Sequence, residues 1–332
     1  MKKLSRLFIF WALVAVCLPF SGILSCGVPK NIIGNQGAIL FVLDEANDAV
    51  YIYDNATTLN GTLVPNRTLS GATNTGISSP TTVAVDSIRD ILYVSDSTNQ
   101  DVLAFIPAST VNGDVAPTRK YPGVKKGGAA FYDETNDRLY ITDVTDKAVK
   151  VWDKISTLQD GTANNRTIKF NFEPAGMMVD TQRDFLYVGD PSTASVQVFP
   201  NASTSSGNPT AVRTIKDSSQ AFVNLSGLDM NILNDILFVS DSGIKSVEMF
   251  DQTSTLNGTV AATRELDGAN TQLGVNQGEL HFLNNSLFVN ISDTQIAVWD
   301  SANQLTGDVV ANRTVTVSPA SNIISFALKP GD

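Results

Sequence analysis

A unit of about 50 residues recurs along the chain, and this period constrains the fold most tightly because several residue types return in step. AILFVLD from Ala38, ILYVSD from Ile91, RLYITD from Arg138, FLYVGD from Phe185, ILFVSD from Ile236 and SLFVNI from Ser286 are short β-rich runs. Each holds one aromatic residue in register: Phe41, Tyr93, Tyr140, Tyr187, Phe238 or Phe288. A second run follows about ten residues later and closes on Tyr53, Phe105, Trp152, Phe199, Phe250 or Trp299. A third is marked by Arg67, Arg119, Arg166, Arg213, Arg264 and Arg313, and a fourth reads TVAVD, AAFYD, GMMVD, GLDMN, GELHF and, at the end, ISFALK.

Four short strands per repeat, with no helical periodicity between them, predict an all-β chain folded as a six-bladed β-propeller of four antiparallel strands per blade. With the TVAVD-type run as the innermost strand A, the chain starts on strand B at Ala38 and ends on strand A near Ile324. The offset predicts that the C-terminal strand completes the sheet begun by the N-terminal strands, so that the ring has no free edge. The segments LYVSDSTNQDVLAF, LYITDVTDKAVKVW and LYVGDPSTASVQVF resemble six-bladed propellers of the NHL and YVTN kind over residues 38 to 330. WD40 propellers are a weaker match, since VWD occurs twice without the accompanying Gly-His pair. Kelch propellers match poorly, with Gly127-Gly128 the one Gly pair. The resemblance implies a fold suited to binding, while activity varies among its members.

The N-terminus reads as an export signal. Lys2, Lys3 and Arg6 precede an apolar run from Leu7 to Phe20, followed by Ser21-Gly22-Ile23-Leu24-Ser25-Cys26. The run is too short and broken for a membrane-spanning helix. The segment resembles a bacterial lipoprotein signal, with Ser25 before a Cys26 that receives lipid. Leu24 departs from the smaller residue usual in that pattern, and ordinary secretion with cleavage near Ser25 is the alternative. The expected organisation is a signal peptide over 1–25, a lipidated Cys26 and tether over 26–36, and the propeller over 37–332. Gly27 lacks the acidic character associated with inner-membrane retention, so the resemblance implies an exported protein anchored at the outer membrane or cell surface, touching membrane through its lipid alone.

Composition narrows the chemistry. Removing Lys2, Lys3 and Arg6 takes the net charge from -10 to -13, an acidic surface that repels nucleic-acid phosphates. One His and two Cys, Cys17 lying in the signal, leave no stock for a multi-histidine or multi-cysteine metal site. No GxSxG, HExxH, Walker or EF-hand motif is present, and no catalytic residue is assigned.

The repeated Arg residues are expected to lie partly buried between blades, so carboxylates should stand beside them. The candidates are Asp86, Asp133 and Asp180, or Asp54, Asp153, Asp251 and Asp300 at the ends of strand C, where Ile106 and Pro200 replace the acid in two blades. Asp44, Asp96, Asp143, Asp190 and Asp241 end strand B and are expected to accept backbone N–H groups in the following turn. Seven residues before each strand B aromatic stand Asp86, Asp133, Asp180, Asn231 and His281, with the corresponding C-terminal place near Lys329. At one mouth of the channel these would form a candidate binding site. Carboxylate and amide oxygens suit a hard cation such as calcium, and the alternative is that these residues initiate turns. Two functions follow: a lipid-anchored, non-enzymatic binding or scaffold protein that presents a propeller face to a protein, peptide or polymer, or a divalent-metal-dependent hydrolase or lactonase working in the channel. The first rests on the tether and on long C–D loops such as LNGTLVPN, VNGDVAPT and LTGDVVAN, which have few apolar anchors.

Overall fold

The computed structural model describes residues 37–331. The export signal, Cys26 and the tether to residue 36 lie outside the described residues. The repeats form six sheets. Blade 1 takes strand A from the C-terminus (Ile323–Lys329) and strands B, C and D from the N-terminal end (Ile39–Asp44, Ala49–Asp54, Arg67–Ser70). In the same A to D order, blade 2 is Pro80–Asp86, Ile91–Asp96, Asp101–Phe105 and Arg119–Pro122, and blade 3 is Gly127–Asp133, Arg138–Asp143, Ala148–Asp153 and Arg166–Lys169. Blade 4 is Met177–Asp180, Phe185–Asp190, Ser195–Pro200 and Arg213–Asp217; blade 5 is Leu225–Asn231, Ile236–Asp241, Ser246–Asp251 and Arg264–Leu266. Blade 6 is Leu280–Leu283, Ser286–Ser292, Gln295–Asp300 and Arg313–Val317. The closure expected from the offset is present: Ile39 pairs with Lys329, Phe41 with Ala327 and Asp44 with Ile323, antiparallel, with a bulge between Leu43 and Asp44.

Each sheet is covered on both faces, which is why its strands read as nearly continuous apolar runs. In strand B of blade 1, alternation sends Ile39, Phe41 and Leu43 into the core shared with blade 2, and Leu40 and Val42 into the core shared with blade 6. The same division repeats around the ring, so the hydrophobic core is a set of six layers between neighbouring blades. The aromatic residues closing strand C are fully buried, and Trp152 and Trp299 use their indole N–H on the carbonyls of Thr162 and Val309 in their own C–D connections.

The long C–D connections have a structural task that the sequence reading gave to partner binding. Each runs outward onto strand D of the preceding blade and occupies its free edge. Asn112 Oδ1 accepts the Thr68 N–H at 3.0 Å while Gly113 donates its N–H to Thr68 O at 2.7 Å. Asp160 and Gly161 treat Lys120 in the same way. Asn60 holds Thr314 and Asn257 holds Thr214, and there the loop continues as a short parallel strand, Gly61–Leu63 or Gly258–Val260. The turn needs positive φ at the glycine, +77° at Gly113 and +78° at Gly161. An unpaired edge strand is a template for aggregation, and this clip removes it.

The inner strands of neighbouring blades approach closely at glycines, as between blades 5 and 6. A Cβ placed on Gly227 would stand 2.9 Å from Leu280 N and 3.0 Å from Gly278 O, both backbone atoms. Gly227→Ala therefore must part blades 5 and 6, and it is expected to lower stability by about 1–3 kcal/mol, read as a drop in urea midpoint at unchanged slope.

Candidate functional site

The A–B turns use the carboxylates that sequence reasoning placed at the channel mouth. Asp86 Oδ1 accepts the N–H groups of Ile88 and Arg89, and its Oδ2 takes Arg89 Nη1 at 3.1 Å and the Tyr132 hydroxyl at 2.6 Å. Asp180 is bound in the same manner by Gln182, Arg183 and the Arg183 guanidinium, and Asp133 by the backbone and side chain of Asn136. Asn231 caps the Asn234 N–H and donates to Asn303 Oδ1. All four are buried. Each is engaged by its own turn and they do not converge on one point; among the described residues no group of three or more His, Cys, Asp or Glu is arranged to hold a metal ion.

His281 is not the counterpart of these residues. In blade 2 four residues separate the paired Asp86 and Ile91, whereas in blade 6 only Asn284 and Asn285 lie between Leu283 and Ser286. Both asparagines have positive φ, 50° and 61°, as a two-residue hairpin turn requires. Leu283 takes the register of Asp86, and His281 falls opposite Phe288, two residues deeper along the strand. Its true counterparts, facing the strand B aromatic in the other blades, are Ala84, Phe131, Met178, Asp229 and Ala327.

That shift puts His281 in the wall of the channel. Asp229 Oδ2 lies 3.6 Å from its Nδ1 and Glu279 Oε1 lies 3.5 Å from its Nε2, while the ring meets the edge of Phe326 at 4.8 Å. Enclosure opposes charge on the imidazole, but Glu279 and Asp229 outweigh it and push the pKa up to about 10. At neutral pH the side chain is thus a cation held between two carboxylates, already carrying the proton that a general base near pH 7 would have to take up. The carboxylates also join blades. Asp229 of blade 5 accepts the Phe282 N–H of blade 6 at 2.7 Å. Glu279 of blade 6 accepts Ser325 Oγ at 2.7 Å and the Phe326 N–H at 2.8 Å, both in blade 1. Ser325 Oγ in turn accepts the Val83 N–H of blade 2. Asp229 and Glu279 could not be singled out from sequence, because nothing local marks which acids face the channel.

Two chambers, of 240 and 310 Å³, adjoin this group. Ala130, Phe131, Met178, Asp229 and His281 line both, so the constriction between the chambers is the level of the charged cluster.

The Arg residues on strand D fulfil the structural expectation and decide between its two sets of partners. Arg67, Arg166, Arg264 and Arg313 pair with Asp54, Asp153, Asp251 and Asp300 at 2.5–2.9 Å. Where Ile106 and Pro200 remove that acid, the guanidinium turns to backbone: Arg119 donates to Ser156 O at 2.7 Å, and Arg213 to Thr253 O and Leu256 O at 2.7 and 3.0 Å. The strand B aspartates also serve turns, as Asp96 does for Asn99, Ser78 and Ser79.

A second titratable group lies away from the channel. Glu248 is fully buried on strand C of blade 5, bonded to Ser246 Oγ through one oxygen and without a partner for the other. Burial pushes its pKa from an ordinary 4.5 up to about 8. A carboxyl that binds its proton more tightly when folded favours folding at low pH, and this contribution is lost as pH rises from 4.5 through 8. Glu248→Gln should match the parent in melting temperature at pH 4 and exceed it progressively toward pH 8, in parallel melts across that range.

No family model matches the chain, and no curated protein matches it. Among solved structures it is similar to a chain in the "Crystal structure of Nidogen/Laminin Complex", at 12% sequence identity and a TM-score of 0.59, covering 89% of this chain and 98% of that one. At that identity the likeness shows the fold: the chain is an all-β, six-bladed propeller.

Proposed function

We propose that the protein is an exported, lipid-anchored propeller of the cell envelope that binds a protein partner without chemistry. The observation that carries this reading is the distribution of exposed apolar side chains. In a four-stranded antiparallel sheet the A–B and C–D connections leave the same end. On those connections stand Ile88 and Leu233, at 68% and 83% exposure, together with Val64, Val115, Val212 and Val310. The B–C and D–A connections contribute Val223 and Val275. Apolar side chains held in water by a rigid ring suit the centre of a protein interface. The similar solved structure, from a complex named for two proteins, supports the use of such a ring for protein contact. The export signal and Cys26, read from sequence, supply the address: an NHL- or YVTN-type ring tethered at the outer membrane or cell surface.

A photo-crosslinking amino acid at Ile88 or Leu233 in intact cells should capture one discrete partner, whereas the same probe at Val223 or Val275 should capture none. Ile88→Asp combined with Leu233→Asp should abolish capture from a neighbouring probe while leaving the melting temperature unchanged. Equal capture from both sides, or none from either, overturns the reading. Separately, Cys26→Ala should move the protein from the membrane pellet to the soluble fraction, and intact-mass measurement of the parent should show acyl chains on a mature N-terminus at Cys26.

A further inference from the structure

The turns absorb most of this protein's acids, and the Arg ring absorbs others. Asp229, His281 and Glu279 stand apart because they face the channel, at a depth where other blades carry Ala84, Phe131, Met178 and Ala327. With His281 charged the trio carries one net negative charge. Among the described residues Glu134 is the one further carboxylate lining either chamber, and no Lys or Arg lines them. Much of the remaining wall is apolar and polarisable, with Phe131, Met177, Met178 and Leu228, beside the hydroxyls of Ser226 and Tyr132. The His281 Nε2 is shielded from solvent and lies 3.5 Å from Glu279 Oε1, so the imidazolium belongs to the trio and its charge is answered within it.

We propose that the channel at this constriction is a binding site for a small organic ammonium ion, a ligand class distinct from the protein partner proposed above. Its charge lies against the Asp229 and Glu279 carboxylates, and its carbon body lies against Phe131, Met177 and Met178. An aromatic face and thioethers suit an alkylammonium better than a fully hydrated metal ion, because the ligand sheds little water on entry. The acid excess rejects anions. Chambers of 240 and 310 Å³ stand just below and just above the lower limit of the roughly 300–1,000 Å³ that holds ordinary ligands. The site therefore admits a single small molecule.

Titration calorimetry on the full mature chain at pH 7 tests the site with three probes of one shape: benzylammonium chloride, benzyl alcohol and sodium benzoate. Benzylammonium should bind one per chain, about tenfold or more tighter than benzyl alcohol, and benzoate should not bind. Glu279→Gln and Asp229→Asn each keep an acceptor oxygen for the Phe326 or Phe282 N–H, so the blades stay joined while the charge is removed. Each should weaken benzylammonium about tenfold and leave benzyl alcohol unchanged, with circular dichroism melts confirming the fold. Met178→Trp, which fills the constriction without touching the charges, should abolish binding of both. Equal affinity for the alcohol, preference for benzoate, or no heat with benzylammonium at about 10 mM overturns the proposal.

Discussion

The antiparallel pairing of Ile39–Asp44 with Ile323–Lys329 is the contact on which the rest depends. A blade covered on both faces has no stable existence beside a missing neighbour, since half of its apolar side chains belong to the layer on the other side. Six layers are complete only if the ring is complete. A ring assembled from consecutive repeats would close on packing alone. Here the sixth junction includes backbone hydrogen bonds between the two ends of the chain, which ties the loss of one terminal strand to the whole circle. Ser325 reinforces that junction on the channel side by receiving the Val83 N–H of blade 2 and donating to Glu279 of blade 6.

Closure deals with the inside of each sheet and leaves strand D exposed on the outside. The chain solves this with a Gly that reaches back over the preceding D strand, preceded in blades 1, 2, 3 and 5 by an Asn or Asp whose side chain satisfies a second point of that strand's backbone. The Arg on strand D then meets the aspartate that ends strand C of its own blade, or, lacking it, carbonyls of the following blade's C–D connection. These are partly buried ion pairs, and their value lies in leaving no guanidinium unpaired more than in net attraction. The polar composition of the loops, which from sequence suggested a surface awaiting a partner, is the composition of an edge cover.

Blade number, strand order and the need of each Arg for a carboxylate were legible because each is repeated, and a repeat averages out local ambiguity; the head-to-tail offset followed from where the repeat starts and stops, while the choice between the two sets of aspartates needed the structure. The replacement of strand C aspartate by Ile106 and Pro200 even pointed to the two blades whose Arg must find another partner. What failed was a count carried across a turn of variable length. Seven residues back from Phe288 reaches His281 only because a two-residue Asn284-Asn285 turn replaces the four-residue turn of other blades, and with period-two alternation the shift of two keeps the face while changing the depth. Asp229 and Glu279 were invisible for a related reason: an acid on strand A looks the same in sequence whether it turns to the channel or to a neighbouring loop.

The irregular positions are where a repeat protein can differ from itself without losing its fold. Ala84, Phe131, Met178 and Ala327 show that the channel wall at this depth is satisfied by apolar side chains. Three charged groups in two adjoining blades are therefore not required by closure. Two of them have become part of the seam, through the N–H groups of Phe282 and Phe326, but a neutral amide could accept those bonds equally well. Ionised side chains in a narrow, partly apolar channel lose hydration that each other's charge only partly restores. Their presence here, with an excess of negative charge, is something the scaffold itself does not require.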